Sequence, residues 1–179
     1  QGGGGIGIAD VAPDPEAAHR IETGPRTIVV AGADAGPAAE QFAHAGGFPL
    51  VAEIVSGARF GRQIVHGYRA LLREPALGGR IERVVLFGRP TLSREVAVLL
   101  GRDDVEVLAV RGPGEPVNLN GATIAVDAVR VTGEADRTWL GEWMRASRDA
   151  AVDLSPRAPD AEGLASAVPH ERLGAISAE

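Results

Sequence analysis

Arg83-Val84-Val85-Leu86-Phe87-Gly88-Arg89-Pro90-Thr91-Leu92-Ser93-Arg94 decides how this chain folds. Arg83 to Phe87 reads as a strand, and its Val84 to Phe87 is an unbroken apolar run without alternation, the composition of a strand covered on both faces. Gly88, Arg89 and Pro90 interrupt it, and Thr91 to Leu100 continue with helical spacing. A strand that passes through a short turn into a helix is half of a βαβ unit. Arg89 then stands at a strand's carboxyl end, where open α/β sheets bind their ligands.

The same cycle recurs on either side. Thr27 to Ala31 reads as a strand, Gly32-Ala33-Asp34-Ala35-Gly36 as its turn, and Pro37 to His44 as a helix that accepts proline in its first turn and stops at Gly46-Gly47. Pro49 to Ile54 reads as the next strand, ending at Ser56-Gly57. Phe60 to Arg73 carries Ile64, Val65, Tyr68, Leu71 and Leu72 on a one-sided stripe and predicts a helix, closed by Pro75 and Gly78-Gly79. Val105 to Val110 is a further strand, and Thr123 to Val126 and Ala128 to Val131 are one or two more. Trp139 to Val152 is an amphipathic helix with Trp139, Trp143 and Met144 on one face. The alternation predicts a three-layer, doubly wound, Rossmann-like α/β domain with a mainly parallel sheet over residues 26–153.

Residues 1–25 are rich in Gly, Pro and acids and read as a linker with at most one short strand around Ile6 to Val11. Residues 154–163 repeat that composition, and Leu164 to Ile176 reads as the start of a helix whose packing partner is missing. Gln1 and the four glycines after it look like the middle of a loop, so a piece of a longer protein is expected.

A chain of 179 residues suits one domain with a real core. Hydrophobic residues make up 45% but aromatics only 4%, so that core must be mainly Val, Leu, Ile and Ala. All 18 basic residues are arginine, and the net charge of −6 argues against nucleic acid as a partner. Without lysine there is no P-loop, pyridoxal Schiff base or Ser-Lys dyad. Without cysteine there is no disulfide framework, thiolate nucleophile or cysteine zinc site, which is compatible with a reducing cytoplasm. No apolar stretch approaches the roughly 20 residues that span a bilayer, so no membrane span and a cytoplasmic location are expected.

Few residues have the pattern of a chemical site. Gly32 to Gly36 is G-x-x-x-G and not the dinucleotide G-x-G-x-x-G, and Asp34 reads as a turn residue. His19, His44, His66 and His170 lack metal-ligand spacing, no G-x-S-x-G occurs, and Ser56 and Ser93 have no His-Asp context nearby. Arg59, Arg62, Arg89, Arg94 and Arg111 all fall in or just after loops near strand carboxyl ends. Guanidinium forks at such a rim suit a carboxylate or phosphate, although a lysine-free chain also uses arginine at every cationic surface position. Arg89 is the leading anion candidate, with a helix dipole expected just after it, and Arg111 and Arg59 are the others. No catalytic, cofactor-binding or metal-ligating residue is assigned.

Gly47-Phe48-Pro49-Leu50-Val51-Ala52-Glu53, Ser56-Gly57-Ala58-Arg59-Phe60-Gly61, Tyr68-Arg69-Ala70-Leu71-Leu72-Arg73, Val84 to Thr91 and Trp139-Leu140-Gly141-Glu142-Trp143 occur in an order that resembles one family. It is the middle domain of the thiamine-diphosphate enzymes called 2-succinyl-5-enolpyruvyl-6-hydroxy-3-cyclohexene-1-carboxylate synthase, of actinobacterial type, over roughly residues 26–150. The resemblance implies a three-domain enzyme of menaquinone biosynthesis, a homo-oligomer, with a pyrimidine-binding domain before this stretch and a pyrophosphate-binding domain after it, beginning within 154–179. Such an enzyme would decarboxylate 2-oxoglutarate on thiamine diphosphate, anchored by Mg2+ or Mn2+, and add the succinyl unit to isochorismate. The family's catalytic glutamate, Gly-Asp-Gly metal motif and substrate arginines belong to the outer domains and have no matching positions here. The stretch alone is therefore expected to be inactive, with a structural role and room for an anionic pathway metabolite as effector. A free-standing nucleotide- or anion-binding module that shares only the fold is the alternative.

Overall fold

Apolar runs separated by glycine-containing turns become strands in this chain. The computed structural model describes residues 17–91, 93–112, 114 and 117–153, the side chains of 152 and 153 excepted. The expected strand at Ile6 to Val11 and helix at Leu164 to Ile176 lie outside the described residues. Within them the order is β1 (His19–Glu22), β2 (Thr27–Ala31), α1 (Pro37–Gly46), β3 (Leu50–Ala52), α2 (Tyr68–Leu71), β4 (Arg83–Phe87), α3 (Arg94–Leu100), β5 (Glu106–Val110), β6 (Ile124–Val126), β7 (Val129–Thr132) and α4 (Arg137–Asp153).

Five strands form one sheet in the order β3-β2-β4-β5-β6, every pair parallel. The doubly wound α/β class read from the sequence is what the structure shows. Period-two geometry sorts the side chains into two cores. Ile28, Val30, Val84, Leu86, Val107 and Ala109 face α2, α3 and α4, packing with Leu71, Val96, Leu99, Trp139 and Trp143. Val29, Ala31, Val85, Phe87 and Leu108 face the other way, against Ala39, Phe42 and Ala43 of α1. Because β2 and β4 are covered on both sides, they read as continuous apolar runs.

Several helices depart from the sequence reading, each for a local reason. The predicted helix from Phe60 to Arg73 shrinks to Tyr68–Leu71. Gly61 and Gly67 have φ of 86° and 64°, outside the helical region. Gln63 and Val65 bracket Leu50 instead, with Leu50 N–H donating to Gln63 O at 2.7 Å and Val65 N–H to Leu50 O at 2.8 Å. Ile64 and Val65 thus pack in opposite cores, as neighbours along an extended chain do. The strand read as Pro49 to Ile54 is shorter, because Ile54–Ser56 turns into a 3-10 helix. In contrast α4 starts earlier than read, since Asp136 Oδ1 accepts the Thr138 and Trp139 N–H groups at 2.9 and 3.1 Å.

A strand also appears inside the stretch read as linker. β1 pairs in parallel with β7, over a hundred residues later, and buries only Ile21 against the α1 face. Four residues with one apolar side chain carry no readable period. α3 begins at Arg94, not Thr91, and its approach is held by another element. Glu53, wholly buried just after β3, accepts the Thr91 N–H at 2.9 Å and the Ser93 N–H at 3.1 Å. Among the described residues no helix is long and apolar enough to cross a membrane.

Glu53→Ala is expected to lower folding stability by about 1–3 kcal/mol, because two loop donors at a buried site lose their acceptor. Glu53→Gln should lose less, and urea denaturation of the three proteins measures the order. Glu82 gives a pH dependence: the Arg26 backbone N–H, at 2.8 Å, and then its guanidinium hold this carboxyl below its usual range. A depressed carboxyl stabilises the fold above its unfolded pKa and loses that contribution as pH falls through the folded value. Glu82→Gln should therefore be less stable than the parent at neutral pH, with the difference vanishing in strong acid.

Candidate functional site

The strand order places the sheet's switch point between β2 and β4, because β3 lies outward of β2 while β5 lies outward of β4. Ligands of open α/β sheets sit in the crevice just beyond such a point. Here the loops Gly32–Gly36 and Gly88–Thr91 meet there and bond to each other. Gly32 N–H donates to Phe87 O at 2.9 Å, Ala33 N–H to Arg89 O at 2.7 Å, and Arg89 N–H to Ala33 O at 2.9 Å. The ladder of β2 and β4 is thus extended past the strand ends by an antiparallel bridge.

Glycine is required on both sides of that closure. A Cβ on Gly32 would lie 2.2 Å from the Arg89 carbonyl carbon, and one on Gly88 would lie 2.2 Å from Ala33 O with φ at +67°. The crevice left above the bridge holds about 20 Å3, room for a single water. Small-molecule sites are usually a few hundred Å3 or more. Backbone N–H groups that would cradle a phosphate in a dinucleotide fold are used here to join two loops.

Arg89 and Arg111, two of the three candidate arginines, line this crevice together with Asp34, Gly112, Gly114 and Val117. Arg89 lies 3.6 Å from the Asp34 carboxylate, both side chains more than half exposed. Asp34 has a left-handed backbone, φ 65°, consistent with its turn reading. Arg111 Nε pairs with Asp127 Oδ1 at 3.0 Å. Each guanidinium therefore has an acidic neighbour and an exposed side that an anion can reach. Arg59 is elsewhere. Its Nη1 donates to Ala52 O at 3.2 Å, and it lines a separate groove with Tyr68, Arg69 and Arg73.

The expected helix dipole beside Arg89 is corrected by the position of α3. The Thr91 and Ser93 N–H groups at its approach are already taken by the buried carboxyl oxygens of Glu53. Sequence reasoning missed this role of Glu53. The signal was there: a carboxylate directly after the apolar triplet Leu50-Val51-Ala52, at a strand's carboxyl end, must be buried and must find donors. His66 is engaged through its backbone, its N–H donating to Ser147 Oγ at 2.7 Å. Among the described residues no three His, Cys, Asp or Glu side chains converge in a way that could hold a metal ion.

No family model matches the chain. Curated relatives do: the 2-succinyl-5-enolpyruvyl-6-hydroxy-3-cyclohexene-1-carboxylate synthase of Leifsonia xyli is 54% identical over 132 residues, and the protein of the same name from a Nocardioides species is 41% identical over 188 aligned positions. The chain is a homologue of these synthases. A third, from Paenarthrobacter aurescens, is 61% identical over 82 residues. The Leifsonia match takes in 70% of the chain and the Nocardioides match 95%, but the chain spans only 22% and 34% of those synthases. All three synthases are actinobacterial, as the order of motifs in the sequence implied.

The two sides of the crevice should respond differently to mutation. Gly88→Ala should cost at least about 1–3 kcal/mol from left-handed backbone alone, with the contact at Ala33 added. Arg89→Ala, which removes only an exposed ion pair, should change stability by less than about 1 kcal/mol. Denaturant midpoints of the two variants measure the contrast.

Proposed function

We propose that this chain is the central structural domain of a thiamine-diphosphate-dependent synthase, a carboligating transferase that decarboxylates 2-oxoglutarate and joins the succinyl unit to isochorismate in menaquinone biosynthesis. The observation that carries the reading is the 54% and 41% identity to synthases of that name, at a level where shared fold alone is a poor explanation. On this reading the chain lies between a pyrimidine-binding and a pyrophosphate-binding domain. Residues 1–25 lead in and 154–179 lead out, in a homo-oligomeric cytoplasmic enzyme.

Thiamine diphosphate and its Mg2+ or Mn2+ are not assigned to residues of this chain. Among the described residues no donor set fits the metal, and the switch-point backbone that would meet a diphosphate is bonded to itself. The domain's contribution is then to hold its neighbours at fixed separation. A parallel sheet covered on both faces is suited to that role, since its core leaves no soft layer. Arg89 and Arg111 add a regulatory contact. Their guanidinium groups border one crevice, and an acidic metabolite of the pathway could bridge them from the solvent side in exchange for Asp34 and Asp127. Arg59, on a different face, takes no part in that site.

Two measurements test the reading. The longer protein, given 2-oxoglutarate, isochorismate, thiamine diphosphate and Mg2+, should form product, while this chain alone should form none and bind no thiamine diphosphate. Turnover by the chain alone would overturn the structural role. Calorimetric titration with anionic intermediates of the menaquinone pathway should show saturable binding weakened at least tenfold by Arg89→Ala, with ATP and NAD silent. Unchanged titration curves would remove the effector site and leave the architectural role standing.

A further inference from the structure

The chain contains only two asparagines, Asn118 and Asn120, and both stand in the loop that leads into the edge strand β6. Their amides build that loop. Asn118 Oδ1 accepts the Thr123 N–H at 3.1 Å, while Asn120 Oδ1 accepts the Ala122 N–H at 3.0 Å and the Thr123 hydroxyl at 3.1 Å. Asn120 Nδ2 reaches the Arg102 and Val105 carbonyls at 3.4 and 3.5 Å, which straps the loop to the residues before β5.

Gly121 follows Asn120, and this pair has a chemistry of its own. A main-chain nitrogen can attack the side-chain amide carbon of the asparagine before it, and glycine brings no side chain to crowd that approach. The nucleophile is free here: among the described residues nothing accepts the Gly121 N–H. Gly121 is exposed, with φ +73° and open space where a Cβ would stand. The electrophile is polarised, because the two donors on Asn120 Oδ1 stabilise the negative charge that this oxygen gains in the tetrahedral intermediate. The leaving nitrogen is loosely held, since both contacts of Nδ2 lie beyond the usual range of about 2.7–3.2 Å. Asn118 differs in one respect, for the nitrogen after it belongs to Leu119 and is crowded by that side chain.

We propose that Asn120 is a self-modification site, at which the folded chain converts this asparagine to aspartate and isoaspartate. The Gly121 nitrogen gives its proton to hydroxide and bonds to Asn120 Cγ. The Cγ–Nδ2 bond then breaks, and ammonia leaves after taking a proton from water. Water opens the resulting five-membered imide. Cleavage of the new N–Cγ bond gives aspartate, and cleavage of the original peptide bond gives isoaspartate, with the main chain rerouted through the side chain. Water is the only co-reactant, and nothing is oxidised or reduced. Aspartate sets an oxygen where Nδ2 met the Arg102 and Val105 carbonyls, and isoaspartate lengthens the main chain, so either product loosens the strap ahead of β6. That strand is sensitive to the loss, because it has only three residues and pairs with β5 alone. Val117, in the same loop, lines the crevice of Arg89 and Arg111, so the change reaches the arginine rim as well. This goes beyond the synthase reading and its test needs no substrate, so the two fail separately.

Peptide mass mapping of the folded 179-residue chain at mildly alkaline pH follows the reaction, with a urea-unfolded sample as reference. In the folded chain Asn120 should convert at least as fast as in urea, and at least tenfold faster than Asn118. Thr123→Val, which removes the hydroxyl on Oδ1, should slow the folded chain at least threefold and leave the rate in urea unchanged, while Thr123→Ser keeps both rates. Asn120→Asp, which carries one of the products, should unfold at lower urea than the parent, and equal midpoints would overturn the loosening of β6. Slower conversion of Asn120 in the folded chain than in urea would overturn the proposal, as would equal folded rates for the parent and Thr123→Val.

Discussion

The pairing of β2 with β4 is the contact on which the rest of this structure depends. Thr27 to Ala31 lie in register with Arg83 to Phe87, and all ten residues but Arg83 are buried. Neither strand has a solvent face, so the pair must be covered on both sides. α1 with β1 and β7 covers one face, and α2, α3 and α4 the other. Trp139 shows how closely the second layer is tied to the pair: its Nε1–H donates to Thr27 O at 2.9 Å, while its ring packs edge-on against Trp143 and under the Arg80 guanidinium. That buried hydrogen bond ties α4 to β2, and the His66 N–H on Ser147 Oγ ties the helix again further along.

The same pairing also decides what the switch point can do. Its hydrogen bonds continue beyond the strands through Gly32, Ala33 and Arg89, and the crevice where related folds bind a ligand is filled by backbone. Glu53 completes the closure from the β3 side by fixing Thr91 and Ser93 before α3 begins. The sequence likeness to synthases several times longer and the sealed crevice favour the same reading. On the proposed reading, chemistry belongs to other parts of such a protein, and this part supplies shape together with an exposed arginine rim. Fold alone would not have carried that conclusion, since open α/β sheets serve many unrelated activities.

Legibility in the sequence tracked burial. β4 was readable to the residue because every position from Val84 to Phe87 is enclosed, and Gly88 with φ +67° ends it in the one conformation that demands glycine. α1 was readable from Pro37 at its start and from Gly47, left-handed at its end. Phe60 to Arg73 misled because an apolar spacing of one and three residues fits a helix stripe as well as an extended segment whose neighbours enter opposite cores. Only the pairing of Gln63 and Val65 with Leu50 chooses between them. β1 was invisible because its stability comes from β7 and not from its own side chains.

The sequence by itself determined the α/β class, the two-faced burial of the central strands, the absence of lysine and cysteine chemistry and the likeness to the synthases. All of these depend on composition, short-range periodicity or motif order, which survive without knowledge of distant contacts. Tertiary structure decided that Arg89 and Arg111 share a crevice while Arg59 does not, that the switch point is closed, and that Glu53 holds the approach to α3. Those outcomes depend on residues far apart in the chain meeting across parallel strands. Such a meeting is set by strand order and register, for which no local pattern codes.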